Sequence, residues 1–478
     1  MSGDGAGDAP IRLVAGTRDQ LPDAFARRDD LQALLLERFA RAGYRPLRTP
    51  VLEPTELHER TSGARIASKL FRLADGPRGR ACLRPEWTAS IVRAYAAIEP
   101  PPPLPWRVSY AGPVFRQQPG GDREFIQVGV ELLGAPLPAA DGEVIWLADW
   151  AAAEAGLRDV SLRIGHIGVI LEMLEHSGLP QLVQLPLVER LSEAAVGADE
   201  PSSEDRVVGA LDRWLEQLSG YLRDAGAARA PGDLVEAGPL EDLFQGGRRP
   251  GREILARRGR KWDLGHHLSG ALRRFRSQMH RLADLRGPAA AVLESLARDF
   301  VATAPQSVAK LRGLLQALRD YGIDPDRVEL DLGFGRGIGF YSQMVFELFA
   351  ATASGPVSVC GGGRYDGLAH ALGSGRDDRG VGFAFGLERL LAALAAQGGA
   401  PAIASPRGTL VLARDEGAIA AAVRLATRLR AEGGRVVLET GRSLEQSYGY
   451  AADLGLTRIL AVDGGSDGAT TYELGPGR

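Results

Sequence analysis

The stretch from Phe115 to Gly134, FRQQPGGDREFIQVGVELLG, constrains the fold more than any other part of the chain. Two apolar-rich runs flank a turn at Gly120 and Gly121, and the second run alternates strictly, which predicts an antiparallel β-hairpin. Alternation puts Phe125, Gln127, Gly129 and Glu131 on one face and Ile126, Val128 and Val130 on the other. The aliphatic face reads as core. On the opposite face, Gln127 and Glu131 near Arg116 and Arg123 form a polar floor that can accept an ammonium and offer guanidinium donors to a carboxylate or phosphate. A sheet with one solvated face carries the same signature, so alternation alone leaves both meanings open.

The surrounding sequence extends the antiparallel reading. LPDAFARRDDLQALLLERFARAGY has helical spacing and is expected to stop at Gly43. RPLRTPVLEP suits an edge strand, SKLFRLADGPRGRACLRPE a second hairpin, and TASIVRAYAAI a helix. Strand patterns return at RVELDLGFG, GFYSQMVFELF, PVSVCGGGR and GVGFAFG, the last running into a helix. Strands joined by tight turns predict an α+β fold, an antiparallel sheet flanked by helices, rather than a βαβ succession. The expected domains are a disordered start at 1–10, a sheet domain from 11–140 and 318–398, a helical insertion at 141–317, and a small α/β domain at 407–478.

Composition narrows the function classes. The 478 residues, 45% of them hydrophobic, suffice for two or three domains with sizeable cores. No apolar run approaches the ~20 residues that span a bilayer, and the start MSGDGAGDAP lacks a basic segment followed by an apolar one. The expectation is a cytoplasmic protein without a membrane partner. Cys82 and Cys360 are the only cysteines and neither has metal-ligand spacing, so neither a disulfide framework nor a metal site is expected. With 57 basic and 60 acidic residues the net field offers no general attraction for nucleic acid. The arginine-rich run from Gly246 to Trp262 is the one local exception, and charge runs of this kind usually face water.

Three further clusters carry polar groups among glycines: RGIGFYSQMVF with Arg336 and Tyr341, CGGGRYDGL with Arg364 and Asp366, and GVGFAFGLERLL with Arg389. A glycine-kinked strand, a tight turn, and an arginine paired with Glu388 or Asp366 are the plain structural meanings. No P-loop, nucleophile elbow or HExxH motif is present.

Taken together and in order, GTRDQLP, LRPEWTASIVRAYA, FRQQPGGDREFIQVGVELLG, RGIGFYSQMVFE and CGGGRYDGLAHALG…GVGFAFGLERLL resemble the histidyl-tRNA synthetase family of class II synthetase-like proteins. The resemblance implies a class II aminoacyl-tRNA synthetase-like sheet, a homodimer, and one pocket shared by histidine and ATP. It assigns Glu86, Thr88, Gln127, Glu131 and Tyr341 to histidine, and Arg336 to the histidine carboxylate. Arg336 would be the catalytic residue in a synthetase. Arg116 and Arg389 match the arginines that hold ATP phosphates.

Four departures point within the family to its non-catalytic paralogue, the regulatory subunit of ATP phosphoribosyltransferase, which partners a short catalytic transferase in histidine biosynthesis. The loop QQPGGD lacks the arginine and acidic partner of the synthetase loop. Trp87 stands where synthetases have glycine, and its indole is expected to crowd a nucleotide. Gly339 and Phe340 replace an aspartate and a tyrosine. Glu445 and Gln446 in LEQSYGYA stand where cations would face RNA, so tRNA is not an expected partner. No cofactor is then implied. Histidine–tRNA ligase is the alternative, and it would bring in ATP and magnesium. Retention of Arg116, Arg336 and Arg389 favours it.

Overall fold

The computed structural model describes residues 11–75, 79–118, 120–179, 184, 266–333, 340–377, 379–399, 408–464 and 468–474. The calls at residues 1–10, at Gly246 to Trp262, and at Arg336 and Gly339 lie outside them. Two compact units divide the chain, Met1–Pro401 and Ala402–Arg478.

In the first unit, helix α1 (Pro22–Arg41) buries Leu31, Leu35 and Phe39 at four-residue spacing. The chain leaves the helix through Gly43, whose φ of +87° suits glycine. There follow β1 (Arg45–Pro46), β2 (Leu52–Pro54), α2 (Thr55–Thr61), α3 (Gly63–Ser68), β3 (Arg72–Asp75), β4 (Gly79–Leu83) and α4 (Thr88–Ala97). The hairpin is β5 (Trp106–Phe115) and β6 (Glu124–Leu133), in register from Phe115↔Glu124 to Trp106↔Leu133. Next come α5 (Ala139–Glu154), β7 (Val160–His166), α6 (Ile167–Glu175), α7 (His266–Ala283), β8 (Arg286–Pro288), α8 (Ala289–Phe300), α9 (Pro305–Asp320) and β9 (Val328–Asp331). The unit continues with β10 (Met344–Ala350), β11 (Val357–Arg364), α10 (Leu368–Ala371), β12 (Gly380–Gly386) and α11 (Leu387–Ala396).

Nine strands form the main sheet in the order β1-β5-β6-β12-β11-β10-β7-β9-β8, and β2-β4-β3 form a smaller one. Pairing in the main sheet is antiparallel except at β1·β5 and β7·β9. One face of the central strands meets α1, α5 and α11 through Val128, Val130, Leu132, Phe346 and Phe383, all nearly inaccessible. The other face is left to build a site.

The helical reading of 141–317 requires correction. Val160–His166 is a strand of the main sheet, paired along its whole length with β10, and β8 also pairs within that sheet. Leu162 and Ile164 supply the inward alternation. With only seven residues between two long helical patterns, strand periodicity was too short to stand out. A buried ion network ties the same region down: Arg364 on β11 donates to Asp141 of α5 at 2.7 Å and to Asp366 at 3.0 Å. The Gly361–Gly363 run is strand, not the tight turn read from sequence.

The second unit alternates β13 (Gly408–Ala413), α12 (Ile419–Ala431), β14 (Arg435–Glu439), α13 (Leu444–Asp453), β15 (Arg458–Val462) and β16 (Ala469–Glu473). Its sheet order is β14-β13-β15-β16, with β16 alone antiparallel to its neighbour. Among the described residues no helix is long and apolar enough to cross a membrane.

Candidate functional site

The open face of the sheet holds a pocket to which eight of the residues singled out from sequence contribute: Glu86, Trp87, Thr88, Arg116, Gln127, Phe340, Tyr341 and Arg389. The fold brings them from the β4–α4 corner, the end of β5, the middle of β6, the start of the β10 segment and α11. Alternation explains Gln127, which faces the pocket while Val128 is wholly buried behind it.

Glu131 lies on the same face one pleat further in and is 1% exposed. Thr88 Oγ1 and Tyr365 Oη each donate to its carboxylate at 2.6 Å, and Tyr110 Oη does so at 3.4 Å. Burial nevertheless dominates and pushes its pKa up to about 8, with the Glu86 charge adding to the rise and the hydroxyl donors opposing it. Gly382 on β12 makes room for this carboxyl, because a Cβ there would stand 1.8 Å from Glu131 Oε2.

Glu86 is 4% exposed and caps the first turn of α4, accepting from Ala89 N at 3.2 Å. Ser62 Oγ also donates to Glu86 Oε1, at 3.3 Å. Tyr341 packs edge-on to Phe340 with ring centroids 5.1 Å apart, and Phe340 packs edge-on to Tyr365.

Cations line the same pocket. Arg116 Nε donates to Pro85 O at 2.9 Å while its guanidinium lies 5.1 Å from the Phe125 ring centre. Arg389 lies against Gly386 at the start of α11. Its suggested partners are engaged elsewhere: Glu388 accepts from Ile126 N at 3.1 Å, and Asp366 from Arg364 and Gly380 N. Lys69, not singled out from sequence, joins the lining. Cationic and carboxylate side chains thus share one pocket, a composition suited to a zwitterion beside a polyanion. Among the described residues no group of His, Cys, Asp and Glu is placed to hold a metal ion.

Trp87 is a core residue that also borders the pocket. Its indole is 1% exposed and stacks 4.9 Å from Tyr110, and the Arg84 guanidinium lies 3.4 Å from its ring centre. It packs with Ile91, Val108 and Val114. The hydroxyl partners Tyr110 and Tyr365 were not among the sequence-derived candidates. For Tyr110 the signal was its register opposite Gly129 on the pocket face.

Comparison with known proteins fits this geometry. The histidyl-tRNA synthetase family model matches residues 16–237 and 262–390. A histidine–tRNA ligase from Pyrococcus furiosus is 29% identical over 95% of this chain and 91% of its own. An ATP phosphoribosyltransferase regulatory subunit from Moorella thermoacetica is 33% identical over 94% of this chain and 98% of its own. Among solved structures, an ATP phosphoribosyltransferase regulatory subunit/histidyl-tRNA synthetase from Bacillus halodurans superposes with a TM-score of 0.64 at 24% identity, covering 96% of this chain and all of that one. The apo histidyl-tRNA synthetase of S. aureus gives 0.60 at 23%, covering 97% and 98%. With a class II synthetase-like sheet and sequence similarity spread along nearly its whole length, the chain belongs to the histidyl-tRNA synthetase family.

Proposed function

We propose that this chain is a regulatory subunit of ATP phosphoribosyltransferase, a non-catalytic cytoplasmic member of the family that binds free histidine and partners a short catalytic transferase subunit. In this reading Glu86, Thr88, Gln127, Glu131 and Tyr341 hold histidine, with Arg336 at its carboxylate, and the synthetase-like core is a homodimer. What carries it is the loop between β5 and β6. The loop spans only residues 116–123, and its glutamines are turned onto the protein's own backbone: Gln117 Nε2 donates to Leu70 O at 3.1 Å and Gln118 Nε2 to Asp122 O at 2.7 Å. It therefore presents amides occupied internally where the synthetase pattern has an arginine with an acidic partner.

The second unit agrees. Glu445 and Gln446 open α13, and Gln446 closes a capping box with Ser443 instead of offering a cation to phosphate. Regulatory-subunit and histidine–tRNA ligase relatives match at similar identity, so the choice rests on the loop and on α13.

The ligase reading draws on the pocket's Arg116 and Arg389 and on the buried position of Trp87. ATP and magnesium would enter with it. One pair of assays separates the two. The purified chain is expected to bind histidine in calorimetry and to give no histidine-dependent exchange of pyrophosphate into ATP. Robust exchange with charging of tRNA would establish the ligase.

A further inference from the structure

Behind Glu86 lies a buried polar chain that nothing above uses. His58 on α2 is wholly inaccessible, as is Ser62 at the end of that helix. His58 Nδ1 stands 3.3 Å from Ser62 Oγ and 3.3 Å from Glu86 Oε1. Ser62 Oγ donates to Glu86 Oε1 at 3.3 Å, and Nε2 of His58 has no hydrogen-bond partner. A proton on Nδ1 is placed to donate to the serine and the carboxylate, with Nε2 on the unpartnered side. Two donors from α2 thus press on one oxygen of Glu86 from behind while Ala89 N holds it from α4.

We infer that His58, acting directly and through Ser62, is a positioning residue that aims the Glu86 carboxylate into the pocket for a ligand ammonium. A carboxylate between a helix N-terminus and open pocket has several rotamers available. Donors behind Oε1 select one, and preorganisation of that kind raises affinity for a cationic group without touching it. The inference rests on the histidine-site reading.

The test compares His58→Leu, His58→Asn and Ser62→Ala, titrated with histidine and with imidazolepropionate, the analogue lacking the amino group. Asparagine places an amide N–H near the position of Nδ1, whereas leucine fills the space without a donor. His58→Leu and Ser62→Ala are expected to lose roughly tenfold in histidine affinity, the effect of removing a hydrogen bond to a charged group. His58→Asn should restore most of that loss, and imidazolepropionate affinity should change in none of the three. Histidine affinity unchanged from the wild type in His58→Leu and Ser62→Ala, or equal losses for both ligands, would overturn the positioning role. If His58→Leu does not fold, Ser62→Ala and His58→Asn decide the matter. Failure of the wild type itself to bind histidine would instead overturn the site assignment.

Discussion

Replacing Glu131 by glutamine is expected to make the protein more stable above pH 7 and to weaken histidine binding strongly. The first effect follows from the sign of the pKa shift. The buried carboxyl keeps its proton up to about pH 8, while an unfolded glutamate loses it near its ordinary value of 4.5. Between those values the native state binds more protons, so stability is fully present below pH 4.5 and falls as pH rises toward 8. For a fully buried group the total is on the order of 5 kcal/mol. Glutamine cannot ionise, so thermal melts of Glu131→Gln between pH 5 and 9 should lack this slope. Melting profiles that fall in parallel for both proteins would remove Glu131 as the source.

The second effect follows from the ligand's charge. An ammonium beside Glu131 favours the carboxylate, so binding near pH 7.5 should release ~1 proton. Calorimetric heats in buffers of different ionisation enthalpy measure that release. Without the carboxylate, the ligand's ammonium is desolvated against a neutral amide, a loss of ~2 to 5 kcal/mol in affinity. Unchanged affinity in Glu131→Gln would return Glu131 to a purely structural place in the sheet.

What the sequence revealed and what it hid divide along a physical line. The hairpin was legible because one local pattern, alternation around a glycine turn, fixes both the strands and the face each side chain takes. Gln127 could therefore be aimed correctly from its parity alone. Arg116 and Arg389 could be paired in one pocket only through the family resemblance, since α11 follows β6 by more than 250 residues. The donors to Glu131 were hidden for a similar reason: Tyr365 lies 234 residues away in sequence, and only the pairing β6·β12·β11 brings it near. Strand β7 was hidden by context, its two inward aliphatics surrounded by stronger helical signals. For Trp87 the motif gives the residue's position along the chain but not the direction of its side chain. Direction depends on Arg84 and Tyr110, which flank the indole on either side.

That direction gives the other large effect. Trp87→Gly, which restores the synthetase-like residue, is expected to cost about 3 to 5 kcal/mol of stability, the range for deleting a large buried aromatic. The loss has three sources on the page. The indole fills the core with Ile91, Val108 and Val114. It covers the Arg84 guanidinium, whose pKa burial lowers to about 10 and which donates to Pro113 O at 2.9 Å and Thr49 O at 3.0 Å. It also stacks on Tyr110, whose hydroxyl reaches Glu131. Glycine would leave that tyrosine unsupported on one side, so histidine affinity should fall along with the urea midpoint. Because the indole is 1% exposed and packed among Ile91, Val108 and Val114, most of the vacated volume opens into the core. Pyrophosphate exchange should therefore stay absent. A Trp87→Gly variant that keeps its stability within ~1 kcal/mol, inside the range of a surface substitution, and gains histidine-dependent exchange would show that the indole does exclude a nucleotide, and with it that the chain retains the chemistry of a ligase behind a single blocking side chain.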